Sequence, residues 1–88
     1  MENQHRKIKG YRELNEEEVA LMNEIKDHGE KTKALLDKVC HMRALDMEQL
    51  KLTQDQIIEA PRCLEKARTH LQEGQMWFVR SVALPDSF

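Results

Sequence analysis

The 88 residues leave room for one domain, and 40% hydrophobic against 34% charged suits long exposed helices better than a thick globular core. Three glycines and two prolines leave little chain for turns, which argues against an all-β fold. A net charge of −2 excludes a surface made to bind polyanions in general, so no DNA partner is expected. Glu, Lys, Leu, Met, Gln and Ala, all good helix formers, dominate. The expected fold class is all-α: a short N-terminal helix or turn and two long antiparallel helices, forming a single helical domain over residues 1–88.

Residues 1–14 form a basic N-terminal segment. Arg6, Lys7, Lys9 and Arg12 put four fixed positive charges between His5 and Arg12 with no acid among them, and Glu13, Glu16, Glu17 and Glu18 follow. A local cluster of this kind can seat a small phosphate ligand while the rest of the surface stays indifferent to nucleic acid. Met1–Lys9 is charged throughout and predicts no export signal, and no apolar run approaches the ~18 residues of a membrane span. Cys40 and Cys63 are therefore expected to be reduced, half-buried helix residues in a cytoplasm.

Asn15 followed three residues later by Glu18 is a capping box, and Glu16 and Glu17 add negative charge where the helix dipole favours it. The first long helix is expected over about 16–45, roughly 45 Å long at 1.5 Å per residue. Leu21, Ile25, His28, Thr32, Leu35, Val39 and Met42 fall in heptad phase, with Leu14 seven residues before Leu21. Met22, Gly29 and Leu36 add a flanking row, so the stripe is wider than a two-stranded seam. From Asp46 to Ala60 the phase drifts. Pro61 suits the first turn of a helix, which places the second long helix at about 60–84, while a start at Thr53 with Pro61 inside stays open.

Leu64, Ala67, Leu71, Gly74 and Phe78 continue in heptad phase. Seven of the nine residues from Met76 to Leu84 are apolar, and at helical spacing they point all around the axis. One partner helix covers one face only, so this segment predicts a homo-oligomer. A short N-terminal helix folded back over Trp77 is the alternative. Pro85 ends the helix.

Catalytic signatures are missing. No Gly-rich phosphate loop or nucleophile motif occurs, and carboxylates at helical spacing read as solvated faces, so the chain is expected not to be an enzyme. Cys40, His41, Cys63 and His70 supply the ligand types of a structural zinc, but their spacing matches no compact module, and no metal or cofactor is expected. The run Arg6-Lys7-Ile8-Lys9-Gly10-Tyr11-Arg12 places one aromatic ring among cations, the pairing a nucleotide needs for its base and phosphate. Lys26, on neither heptad row, can point its ammonium at the same region. A basic arm can equally be plain solvated chain.

The run His-Arg-Lys-Ile-Lys-Gly-Tyr-Arg-Glu-Leu (His5 to Leu14) flows into Asn-Glu-Glu-Glu-Val-Ala-Leu-Met-Asn-Glu-Ile-Lys (Asn15 to Lys26). Together with Ala-Arg-Thr-His-Leu-Gln-Glu-Gly (Ala67 to Gly74) and Val-Arg-Ser-Val-Ala-Leu-Pro (Val79 to Pro85), it resembles the phage anti-CBASS sponge family. Members of that family sequester the cyclic oligonucleotides by which bacterial CBASS systems signal infection. The likeness covers both ends of the chain and leaves residues 38–62 unmatched. It implies a helical homohexamer, a trimer of interlocked dimers, acting in the cytoplasm of the infected host. It also implies dinucleotide pockets between protomers, where a tyrosine stacks on a base and a lysine meets phosphate; Tyr11 and Lys26 stand at those positions. Lys7 and Arg12 join them as ligand-binding candidates from the basic segment. Arg68 and Thr69 are the candidates for a separate trinucleotide pocket. The implied partners are 3′,3′-cyclic GMP-AMP and cyclic tri-AMP.

A two-fold interface presents the same ring and ammonium to both halves of a cyclic dinucleotide. Each base–aromatic stack is worth about 1–3 kcal/mol and each charge-assisted phosphate bond about 1.5–3 kcal/mol. Doubled, and less several kcal/mol of ordering cost, these leave room for nanomolar binding. Two other readings compete: a helical adaptor or inhibitor that meets a host protein through Met76–Leu84, and a signal-degrading phosphodiesterase.

Overall fold

The computed structural model describes residues 12–86. It holds two helices, α1 (Glu16–Glu48) and α2 (Gln54–Ala83), and no strand among the described residues. The protein is all-α. As residue number rises along α1 its partner on the other strand of the hairpin falls: Arg12 reaches Val82, Ile25 reaches Gln75 and Asp37 reaches Arg68. The two helices are therefore antiparallel.

α1 begins where the capping box requires. The Asn15 side chain accepts from the Glu18 N–H at 2.8 Å, and Glu18 Oε1 accepts from the Asn15 N–H at 3.0 Å. The helix runs three residues past Leu45. It closes with Lys51 N–H on the Asp46 carbonyl (3.0 Å) and Leu50 N–H on the Met47 carbonyl (3.3 Å). This is the Schellman pattern, and its left-handed position, which favours glycine, is held by Leu50 at φ 57°.

α2 starts at Gln54, earlier than the expected start near Ala60. Thr53 and Gln56 form a second capping box, the Thr53 hydroxyl accepting from the Gln56 N–H at 3.2 Å. This cap nucleates the helix ahead of Pro61. Pro61 lies inside α2, where it leaves the Ile57 carbonyl without its usual helical donor. At the far end Leu84 N–H closes on the Arg80 carbonyl at 2.8 Å with Leu84 at φ 38°, and Pro85 follows.

The face that α1 turns to α2 differs from the heptad expected. Ile25, the only buried side chain among the described residues (6% exposed), shares it with half-buried Met22, Gly29, Thr32, Leu36, Val39 and Arg43. The row Leu21, His28, Leu35 and Met42 faces outward. On α2 the half-buried positions are Ile57, Ala60, Leu64, Ala67, Arg68, Gln75, Val79, Val82 and Ala83, so Gly74 and Phe78 leave the seam. From Ile57 to Val82 the seam advances 25 residues in about seven turns, close to 3.6 per turn, whereas a strict heptad drifts away by ~20° each repeat.

One hairpin buries very little. The molecule measures 58 × 25 × 17 Å with a radius of gyration of 18.9 Å, against about 12 Å for a compact chain of this length. Its accessible surface is 7527 Å2, where about 5400 Å2 is usual for this mass. Leu35, Ile58, Met76, Trp77, Phe78 and Leu84 are all more than half exposed. Among the described residues no helix is long and apolar enough to cross a membrane.

Candidate functional site

A groove of about 610 Å3 runs between the helices on one side of the hairpin, within the ~300–1,000 Å3 usual for small-molecule sites. Lys26, Gly29, Glu30, Thr32, Lys33 and Leu36 line it from α1, and Arg68, Leu71, Gln72, Gln75 and Met76 from α2. Lys26 from α1 and Arg68 from α2 both line this groove. Lys26 is exposed and forms no ion pair with any described residue. Lys33, seven residues on from Lys26, stands on the same edge. That spacing was legible in the sequence, yet Lys33 was missed as a candidate.

Arg68 and Lys33 share a counter-ion. Asp37 Oδ1 accepts from Arg68 Nη2 at 3.3 Å, and Asp37 Oδ2 from Lys33 Nζ at 3.4 Å. The Arg68 hydrogen bond, and then that of Lys33, hold the Asp37 carboxyl below its ordinary pKa. Thr69 is exposed on α2 and does not line the groove. Tyr11 and Lys7 lie outside the described residues.

The width of the groove depends on Gly29. Its missing side chain lets Gln75 reach the α1 backbone, where Nε2 donates to the Ile25 carbonyl at 3.0 Å. A Cβ at Gly29 would stand 2.6 Å from Gln75 Nε2. A glycine inside a long helix was the one sequence signal for this close approach.

Arg12 is placed differently from an open phosphate contact. Its Nη2 donates to Glu18 Oε2 and to the Val82 carbonyl (2.9 Å), and its Nη1 donates to Glu18 Oε1 (3.3 Å). The guanidinium thus ties the start of α1 to the end of α2. The hydrogen bond to Glu18 raises the Arg12 pKa, and the reciprocal bond lowers that of Glu18.

A smaller hollow of about 300 Å3 near the helix connection is lined by Val39, Leu52, Ala60 and Leu64 beside Arg43, Gln56, Glu59 and Cys63. Among the described residues no three His, Cys, Asp or Glu side chains stand close enough to hold a metal ion. Cys40 and Cys63 are free thiols, Cys40 half-buried and Cys63 exposed.

The profile of the Acb2/Tad1 hairpin domain matches residues 3–83, which include both helices and their connection. Anti-CBASS protein 2 of Pseudomonas phage JBD67 is 33% identical over 107 aligned positions, covering 98% of this chain and 98% of that protein. The chain therefore belongs to the Acb2/Tad1 hairpin-domain family, the anti-CBASS family that its terminal motifs resemble.

Proposed function

We propose that this chain blocks CBASS signalling by binding cyclic di- and trinucleotides, such as 3′,3′-cyclic GMP-AMP and cyclic tri-AMP, and holding them uncleaved. Its place of action is the cytoplasm of the infected host. Besides the family, one observation supports this reading: the groove brings together Lys26, Lys33 and Arg68 in a space of small-molecule size. Lys26 meets a phosphate of the dinucleotide while Tyr11 stacks on a base. Arg68 serves the trinucleotide, and Thr69, on the neighbouring face of α2, reaches it only where another protomer closes the site. Nothing in this scheme needs turnover, so the protein acts as a stoichiometric binder and not as an enzyme.

The working unit is a homo-oligomer, a hexamer by family likeness. Met76, Trp77, Phe78 and Leu84 are 56–70% exposed on one chain, an apolar patch that a partner protomer would cover. The same patch also favours a second reading, an adaptor that docks on a host protein.

Melting the purified protein with each cyclic nucleotide, then chromatographing the nucleotide after heat denaturation, separates these readings. A raised melting temperature with intact ligand recovered is the expected result. No shift with any cyclic nucleotide favours the adaptor, and linear products mean an enzyme. Lys26→Ala should weaken dinucleotide binding by about 10- to 100-fold for each phosphate bond it removes, read by titration calorimetry.

A further inference from the structure

We infer that Gln75 is a specificity-determining residue of the groove: held across Gly29, its side-chain oxygen accepts from an exocyclic amine of a purine base. The inference rests on the groove holding a cyclic nucleotide, as proposed above.

The Gln75 amide has one orientation open to it. Its Nε2 donates to the Ile25 carbonyl at 3.0 Å. A carbonyl only accepts, so the amide nitrogen faces it and the oxygen turns to the other side. Gly29 makes the room: an added Cβ would lie 2.6 Å from Nε2, 2.8 Å from Cδ and 3.0 Å from Oε1. The whole amide therefore lies against α1, and exchanging its nitrogen and oxygen would set two acceptors against each other. Oε1 accepts from no described residue. Among the described residues no side-chain oxygen or nitrogen is both buried and unbonded, so Oε1 is open to solvent in the groove that Gln75 and Gly29 both line.

The other polar groups of the groove divide by what they can offer. Lys26, Lys33 and Arg68 only donate, which suits phosphate. Glu30 and Gln72 are exposed and bond to no described residue, so nothing fixes the direction in which they face. Gln75 alone among the lining side chains is tied to the backbone of the opposite helix. A fixed carbonyl oxygen repels phosphate and takes a donor. Adenine and guanine each carry an exocyclic amine that supplies one. Because the oxygen is set before the ligand arrives, little ordering cost falls on binding. A ligand without the amine leaves it unpaired, and a site of this kind discriminates against such an analogue.

Titration calorimetry with 3′,3′-cyclic GMP-AMP and two analogues tests this. Inosine in place of guanosine removes one amine, and purine riboside in place of adenosine removes the other. At least one analogue is expected to bind the wild type about 3- to 10-fold more weakly than the parent, the effect of one neutral hydrogen bond. Gln75→Met keeps the side chain's length and loses the amide oxygen, whereas Gly29→Ala displaces the amide. Both variants should bind the parent and the analogues alike. A purely structural Gln75 would weaken all three ligands together and leave their ratio as in the wild type. An unchanged ratio in either variant overturns the inference.

A ligand-free measurement checks the hold itself. The Gln75 side-chain NH2 signals, assigned by their loss in Gln75→Met, should exchange with solvent more slowly in the wild type than in Gly29→Ala, and equal exchange also overturns the inference. If the wild type binds all three ligands equally, the Gln75 inference fails and sequestration stands. If it does not bind cyclic GMP-AMP at all, the sequestration reading fails and takes the inference with it.

Discussion

The two ends of the hairpin are built by different means. At the closed end, residues 45–56 carry a Schellman pattern and a capping box, with every bond between residues at most five apart. At the open end, Arg12 and Val82 are joined across 70 residues, and Met76, Trp77 and Phe78 beside them are largely bare. The closed end completes itself within one chain. The open end is held by one long-range bridge and leaves apolar surface for something else to cover, which is where a binding protein has its use for incompleteness.

The sharpest way to break this contrast is to put charge on the bare end. Trp77 is 65% exposed in a single hairpin, so Trp77→Glu removes little intrachain packing. Sedimentation should show the oligomer falling to monomers while helical circular dichroism at low temperature persists. An assembly of unchanged mass would mean that the open end is not the interface. Acid offers a gentler test of the same end. The Glu18 carboxyl is held below its ordinary pKa, first by its bond to Arg12 and then by the Asn15 N–H. A depressed carboxylate contributes stability above its unfolded pKa of about 4.3 and loses it as pH falls through the folded value. Melting temperature should therefore hold between pH 7 and 5 and fall below about pH 4. In Glu18→Gln part of that fall should vanish, and the remainder belongs largely to Asp37, depressed by Arg68 and Lys33.

At the closed end the expected effects are smaller and of opposite sign. Leu50 holds a left-handed φ of 57° with its side chain 81% exposed, so it has strain and little packing. Leu50→Gly relieves about 1–2 kcal/mol of left-handed strain against about 0.4–1 kcal/mol of added unfolded-state freedom. A rise of a few degrees in melting temperature should follow. A fall instead would show that Leu50 is buried in the assembly and that the closed end is an interface too. Smallest is Gly29→Ala, midway between the ends. Alanine's helix propensity adds about 1 kcal/mol, and displacing Gln75 from the Ile25 carbonyl removes about as much. The single change should be nearly neutral in denaturant melts, and the same change in a Gln75→Ala background should stabilise.

The amino-acid order alone determined the class and the punctuation. Asn15 and Glu18 announced the start of α1 and Pro85 the end of α2, because caps and prolines act on backbone groups within one turn. Thr53 and Gln56 carried an equally local signal, overshadowed by Pro61, whose cost inside the helix the rest of α2 tolerates. Tertiary structure decided what local rules leave open. Three apolar rows run along α1, and only packing against α2 turned Met22, Gly29 and Leu36 inward and left Leu21, Leu35 and Met42 outside. Only the antiparallel pairing put Lys26 and Arg68 on one groove and set Arg12 on Val82. Helix periodicity names the faces of a helix; which face meets which depends on the partner, and the partner is far along the chain.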